Sequence, residues 1–396
     1  MSKSVGIVAE YNPFHTGHRY QTDCLRKAGY ENIAVAMSGS CVQRGQFAFM
    51  DKFSRRKMAL ENGVSLVAEI PCPFSIRSAE GFAAAGMQTL KAMGVDAVSF
   101  GSESGDISLL KNIAEYLLSR EYEQLLAGYL AEGNNFASAR EKAIFHRFDI
   151  SKEVVSASND ILAIEYLKAC IRLEWEPEFA IIRRVGAAYN RPVAKDGYAS
   201  ASGIRQMIAE YRQDSAGKFI PAESSGTFYK NLDRGNFFLP DTAYEKTVLF
   251  TLRQKTAKDF TLLPDCNEEL ANAFEKAVAS SHSLESMYDS LPTRRYTRAR
   301  LNRIILCALL GIEKDMPRDI QYVRVLGFDS GAEQFMKKTA AGCSLPFSHS
   351  AKILGEKSRL CRKIAETESK AMDAQSALFR ISRPRRLDYT SRIVKV

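Results

Sequence analysis

The chain has 396 residues, 45% apolar and 26% charged, enough to bury one large core or two ordinary ones, which excludes a peptide or a disordered tail. Its eight cysteines, at 24, 41, 72, 170, 266, 307, 343 and 361, never reach the C-x2–4-C spacing of a zinc module and suggest no disulfide scaffold. The net charge of +9 is lopsided: residues 291–396 hold 22 Lys and Arg against 10 Asp and Glu, whereas the first 290 residues hold 33 against 36.

The opening Met1-Ser2-Lys3-Ser4 has no basic-then-apolar leader, and no stretch approaches about 18 consecutive apolar residues. The expectation is a cytoplasmic protein with no membrane partner. Continuous apolar runs at 5–9, 33–37, 65–70 and 97–100 suit strands buried on both faces. Helical spacing fills 17–29, 51–62 and 78–93, with Gly29, Gly63 and Gly94 as stops. This order predicts an α/β fold built on a doubly wound parallel sheet.

Beyond Gly101 the pattern changes to amphipathic stretches at about 106–132, 136–147 and 159–173, a helical insertion. A strand returns at 179–185, and a helix starts near Ser202. Composition from 215 to 240 reads as loop, with Ser224-Ser225-Gly226 and Asp233-Arg234-Gly235-Asn236. The expected division is a catalytic domain over 1–215 and a mainly helical, basic domain over 216–396. The latter includes the basic amphipathic stretch 294–305. A near-neutral body joined to a basic quarter fits one module for chemistry and another for a polyanion; solvated helix faces are the alternative.

Ligands bind beyond the carboxyl ends of the strands in such a sheet, so the turn after the first strand is the expected site. It lacks G-x-G-x-x-G and G-x4-G-K-[ST]. It offers instead His15 and His18, three residues apart at a helix start, where both imidazoles share one face with unpaired N–H groups. Gly17 between them lets backbone and a flat ring approach closely. Lys52, Arg55 and Arg56 also share a helical face and could neutralise phosphates, with a solvated basic helix as the alternative, particularly for Arg55 and Lys57.

His15-Thr16-Gly17-His18 after a first strand resembles the HIGH-type signature of the nucleotidyltransferase superfamily. The wider string Val5 to His18 resembles the bacterial tRNA(Met) cytidine acetate ligases. Collinear segments extend the resemblance over nearly the whole chain: Met37 to Gly45, Lys52 to Ala59, Ser78 to Glu80, Phe100 to Glu103, Ser158 to Leu162, Arg184 to Tyr189, Ala199 to Arg205 and Tyr322 to Phe328. Cys41 and Asp160 depart from the family's pattern, at positions expected to affect substrate preference more than fold.

The resemblance implies activation of acetate by ATP and acetylation of N4 of the wobble cytidine of elongator tRNA(Met), with Mg2+ accompanying ATP and no obligate protein partner. His15, His18 and Arg205 are then the candidate catalytic residues. The ATP set is Ile7, Val8, Ala9, Glu10, Tyr11, Asn12, Pro13, Phe14, His15, Thr16, Gly17, His18, Arg19, Tyr20, Gly101, Asn159, Arg184, Val185 and Ser202. Ser202 is equally a good helix cap, Asn159 is expected to cap its helix too, and Glu10 either meets a metal or holds the strand turn. No residues are assigned to a metal site. Candidate tRNA contacts are Arg44 on a loop over the site, Lys52, Arg56, Arg295, Arg298 and Arg303, with Arg383-Pro384-Arg385-Arg386 as a further basic cluster. Two rivals remain: a small-molecule nucleotidyltransferase, and a non-catalytic RNA-binding protein with this fold.

Overall fold

Alternation within the apolar runs decides the architecture. The strands are β1 (Ser4–Ala9), β2 (Asn32–Ser38), β3 (Leu66–Ile70), β4 (Ala97–Ser102) and β5 (Glu178–Arg183). In β2, Ile33, Val35 and Met37 enter one core while Ala34 and Ala36 enter the other. Both faces are covered, so the run has no polar side. The computed structural model describes residues 3–183, 199–293, 295–391 and 393–395.

Three further strands complete the sheet: β6 (Val323–Phe328), β7 (Phe347–Ser348) and β8 (Val394–Lys395). The order is β8-β6-β3-β2-β1-β4-β5, with β7 on β6. Pairing is parallel throughout except between β3 and β6, where the register shifts at Val67/Ala68. From β1 the chain winds outward through β2 and β3, then returns to the other side as β4 and β5. The crevice between the carboxyl ends of β1 and β4 is the topological switch point.

The helices that matter below are α1 (Thr16–Lys27), α2 (Lys52–Glu61), α3 (Ala79–Met93), α4 (Ser158–Arg172), α5 (Ala201–Ala209), α6 (Ala222–Asp233), α7 (Arg298–Leu310) and α8 (Arg359–Ala377). Between β4 and β5 lie five helices ending in α4. The stretch expected as one helix over 106–132 is two, because Ser119 caps a new helix at Arg120 by accepting the Tyr122 N–H at 3.2 Å.

Two sequence expectations change. The loop-like 215–240 contains α6, whose Ser224, Thr227, Phe228 and Asn231 form a buried face; small polar residues disguise a packing surface. And β6 lies beyond the boundary expected near residue 215, so the C-terminal part supplies a strand to the N-terminal sheet. Its remaining helices close over a separate core that also takes in Cys41 and Phe47 from a short hairpin (Cys41–Val42 with Gln46–Phe47).

Candidate active site

The end of β1 turns sharply. Tyr11 takes a left-handed φ of 46°, and Asn12–Pro13 is a cis peptide. The turn is held on both sides: the Asn12 side-chain oxygen accepts the Phe49 N–H at 2.6 Å, and the Thr16 N–H donates to the Phe219 carbonyl at 2.8 Å. Tyr11 and Phe14 are buried edge to face, 4.7 Å apart. Burial pushes the Tyr11 phenol well above its ordinary range, so it stays neutral.

His15 is the N-cap of α1. Its Nδ1 accepts the Gly17 N–H at 3.0 Å, while its own backbone N–H donates to His18 Nδ1 at 3.2 Å. This is a capping box made with two imidazoles. Because each Nδ1 accepts, the proton of each neutral ring is on Nε2, and both rings are Nε2–H donors. The rings stack at 3.8 Å and 28°, with Tyr11 and Phe14 against His18 at 4.8 and 5.3 Å. A Cβ on residue 17 would lie 2.9 Å from His15 Cε1 and would push that ring from its place in the pair. Two aligned donors at a helix N-terminus, with no acidic residue in its first turn, make a site for an anion.

Across the crevice, Asp160 is fully buried and accepts the N–H groups of Glu103 at 3.1 Å and Ser104 at 3.0 Å, and the Ser102 hydroxyl. Glu103 in return accepts the Asp160 N–H at 3.1 Å and the Asn159 side-chain amide at 2.5 Å. Asp160 therefore builds the loop after β4 rather than touching substrate preference. Asn159 is not the cap of α4; that place falls to Ala157, which has no side-chain acceptor, and Glu103 does the work from across the loop. Gly101 pairs with Ile182 near the same strand end. Arg184 and Val185 lie outside the described residues.

The second helix start is α5. Its cap is Ser200, which accepts the Gly203 N–H at 3.1 Å; Ser202 sits inside the first turn, its hydroxyl 3.0 Å from that of Ser200. Arg205 donates to the Asn12 carbonyl at 2.6 Å, which brings α5 to the His-bearing turn. Glu10 accepts the Gln43 N–H at 2.8 Å and so ties the turn to the hairpin. At the hairpin tip Gly45 has a φ of 73°, and a Cβ there would collide with the Arg303 backbone nitrogen. Arg44 is exposed beside it.

Three of the expected polyanion contacts are otherwise engaged. Lys52, Arg55 and Arg56 do share a helical face, but it is the buried one. The Lys52 ammonium meets Glu69 at 2.5 Å, Asp388 at 2.6 Å and Glu368 at 2.9 Å with no exposed surface, which removes it from reach of RNA. Arg324 of β6 completes this cluster, 2.7 Å from Asp388 and 3.2 Å from Glu69. Burial pushes Glu69 up to about 7 against the opposing pull of Lys52 and Arg324; Asp388, despite burial, is held below its ordinary range by the same two cations. Arg56 donates to the Leu326 carbonyl at 2.5 Å, joining α2 to β6, and burial lowers it to about 10. Arg303 is mostly buried, with Asp265 at 3.5 Å.

Arg55, left as a helix-face residue by its sequence, proves central. Its guanidinium donates to the carbonyls of Glu10 at 2.6 Å, Ser38 at 3.0 Å, Met50 at 3.0 Å, and Gly39. It fixes the carboxyl ends of β1 and β2. The signal was its i, i+3, i+4 spacing with Met58 and Ala59, which marks an inward position. Arg295 and Arg298 remain largely exposed, paired with Glu269 at 2.6 Å and Glu285 at 2.9 Å.

Among the described residues no group of three or more His, Cys, Asp or Glu side chains could hold a metal ion. The turn offers N–H donors, whereas Mg2+ takes oxygen ligands. These residues do not fit a protein-held Mg2+.

The HIGH Nucleotidyl Transferase family model matches residues 2–388. A tRNA(Met) cytidine acetate ligase of Caldicellulosiruptor saccharolyticus is 38% identical over 84% of each chain, and one of a Thermoanaerobacter species is 33% identical over 99% of each. Crystal structures of Thermotoga maritima TmcAL, apo and bound with alpha-thio ATP, superpose with TM-scores of 0.93 and 0.91 over the whole of both chains, at 28% and 27% identity. A strand-end turn with paired imidazoles, in a chain that aligns from end to end with these relatives, has one reading: the chain belongs to the HIGH nucleotidyl transferases and, among them, to the tRNA(Met) cytidine acetate ligases.

Proposed function

We infer that this chain is an ATP-dependent ligase that activates acetate as acetyl-adenylate and transfers the acetyl group to N4 of the wobble cytidine of elongator tRNA(Met). The observation that carries it is the stacked His15–His18 pair at the N-terminus of α1, in a chain matching ligases of this name over nearly its full length.

An acetate oxygen attacks the α-phosphorus of ATP, the bond to the leaving pyrophosphate breaks, and acetyl-adenylate forms. Acetate is already an anion, so the step needs positioning and charge stabilisation rather than a general base. His15 and His18 supply Nε2–H donors to the phosphate oxygens, together with the first N–H groups of α1. Arg205 and the α5 N-terminus take the remaining phosphates. The cytidine N4 then attacks the acetyl carbonyl carbon, the carbon–oxygen bond to the adenylate breaks, AMP leaves, and the nitrogen gives up its proton. Mg2+ would enter with ATP and supply charge neutralisation, with no protein ligand set among the described residues to hold it.

The tRNA is gripped by Arg44, Arg295 and Arg298, a role supported by their exposure and by the basic C-terminal quarter. Arg303 backs the hairpin tip instead. The reaction belongs in a reducing cytoplasm, in keeping with eight unbridged cysteines; among the described residues no helix is long and apolar enough to cross a membrane. Acetate-dependent exchange of labelled pyrophosphate into ATP tests the first step. Exchange that needs acetate supports it, and a protein that binds ATP without any exchange contradicts it.

A further inference from the structure

Beyond the crevice, a second concavity of about 260 Å³ opens between α2, α6 and the segment around Arg383. Cations reach it from three separate parts of the chain: Lys57 on α2, Lys230 and Arg234 at the end of α6, and Arg383. Lys57 is paired with Glu61 at 2.5 Å and Arg383 with Asp51 at 3.3 Å. Lys230 and Arg234 are exposed and have no ion pair among the described residues. The dipole of α6 favours cations at its C-terminus, but it does not bring Arg383 to meet them.

The lining is not only charged. Phe53, half-buried, and Leu387 supply an apolar surface, and the Phe53 ring already carries the Arg56 guanidinium 5.0 Å from its centroid. An aromatic face beside unneutralised cations is the chemistry that takes one nucleotide of a single strand, its base on the ring and its phosphate on the basic groups.

The position narrows the ligand further. On one side of α2, Arg55 grips the Glu10 carbonyl at the strand end; on the other, Ser54 and Lys57 line this pocket. α2, roughly 10 Å across, lies between this pocket and the Glu10 carbonyl at the strand end. We propose that this pocket, with Phe53, Lys230, Arg234 and Arg383, binds an unpaired nucleotide of the substrate tRNA's anticodon loop that flanks the cytidine being acetylated. The proposal rests on the ligase reading for the identity of the RNA. Its binding chemistry is independent of that reading.

The test uses the full chain, the double variant Lys230→Ala/Arg234→Ala and the variant Phe53→Leu, which keeps an apolar side chain but removes the ring. Binding of the tRNA(Met) anticodon stem-loop is measured across a salt series beside acetate-dependent ATP–pyrophosphate exchange. The double variant is expected to bind about tenfold more weakly with a salt slope reduced by about one, and Phe53→Leu about tenfold more weakly with the slope kept. Exchange is expected to stay at the wild-type rate in both.

Unchanged affinity and slope would overturn the proposal. Loss of exchange would also overturn it, by assigning the pocket to ATP. Competition by CMP as effective as by the stem-loop would make it a free-nucleotide site, and equal weakening toward a fully paired duplex would remove the single-strand claim. If the wild-type protein binds the stem-loop but forms no N4-acetylcytidine, the ligase reading falls while the binding comparison still decides the pocket.

Discussion

The basic residues of α2 and those around α6 and α7 look alike in sequence and have opposite fates. Lys52, Arg55 and Arg56 are buried, each satisfied by carboxylates or carbonyls of other elements. Lys230, Arg234, Arg295 and Arg298 stay at the surface. A buried cation is costly unless fully partnered, so the first set holds strands together, and only the second can give up water for a polyanion.

The largest effect should come from breaking the buried set. Lys52→Met leaves Glu69 and Asp388 with Arg324 as their one cation and Glu368 with only the Ser40 and Cys72 donors, and urea melts should show a loss of about 3–5 kcal/mol. A loss below about 1 kcal/mol would mean the cluster is not an interlock. The His pair should separate chemistry from folding. His18→Ala should slow acetate-dependent exchange by about 10²–10³-fold. His15→Asn should slow exchange to a similar degree while retaining an N-cap acceptor, so its melting point should stay near wild type; His15→Ala should also lose about 1 kcal/mol.

The third contrast is with pH. Burial raises Glu69 from an unfolded value near 4.5 to about 7, so the folded protein holds a proton that the unfolded chain releases. Its contribution is complete below the unfolded value and lost as pH rises through 7. Asp388 acts in the opposite sense, its contribution being lost as pH falls below the ordinary carboxylate range. Stability should therefore decline between pH 5 and 8, and Glu69→Gln should flatten that decline. A rise with pH, or an unaltered slope in the variant, would contradict the assignment. The smallest effect belongs to the exposed set: Arg298→Ala should lower the salt slope of tRNA binding by about one and cost under about 1 kcal/mol of stability.

What the sequence disclosed follows the range of the interactions. β1 to β5 and the long helices that follow β1, β2 and β3 rest on local period and local stops, so they were legible to within a few residues, whereas the break at Ser119 and the short helices Cys72–Ser75 and Lys152–Ser156 were not. The His15–Gly17–His18 turn was legible because its geometry is made within four residues. The role of α2's cations was not, because Glu368 and Asp388 lie more than 300 residues away and nothing local marks the pairing. α6 is hidden by its serines, and β6 stands alone among helices, outside the alternating strand–helix pattern that marks β1 to β4. Asp160 and Glu103 cap each other's backbone across a loop, so Asp160 resembles a determinant of substrate preference until its partner is seen.

One product separates this ligase activity from its rivals. The purified protein is incubated with labelled acetate, ATP and bulk bacterial tRNA, the tRNA is digested to nucleosides, and these are separated. Label in N4-acetylcytidine, derived from the elongator tRNA(Met) wobble position and matched by AMP release, is the predicted result. Acetate-dependent AMP formation with no labelled nucleoside, or no AMP formation at all, would contradict it.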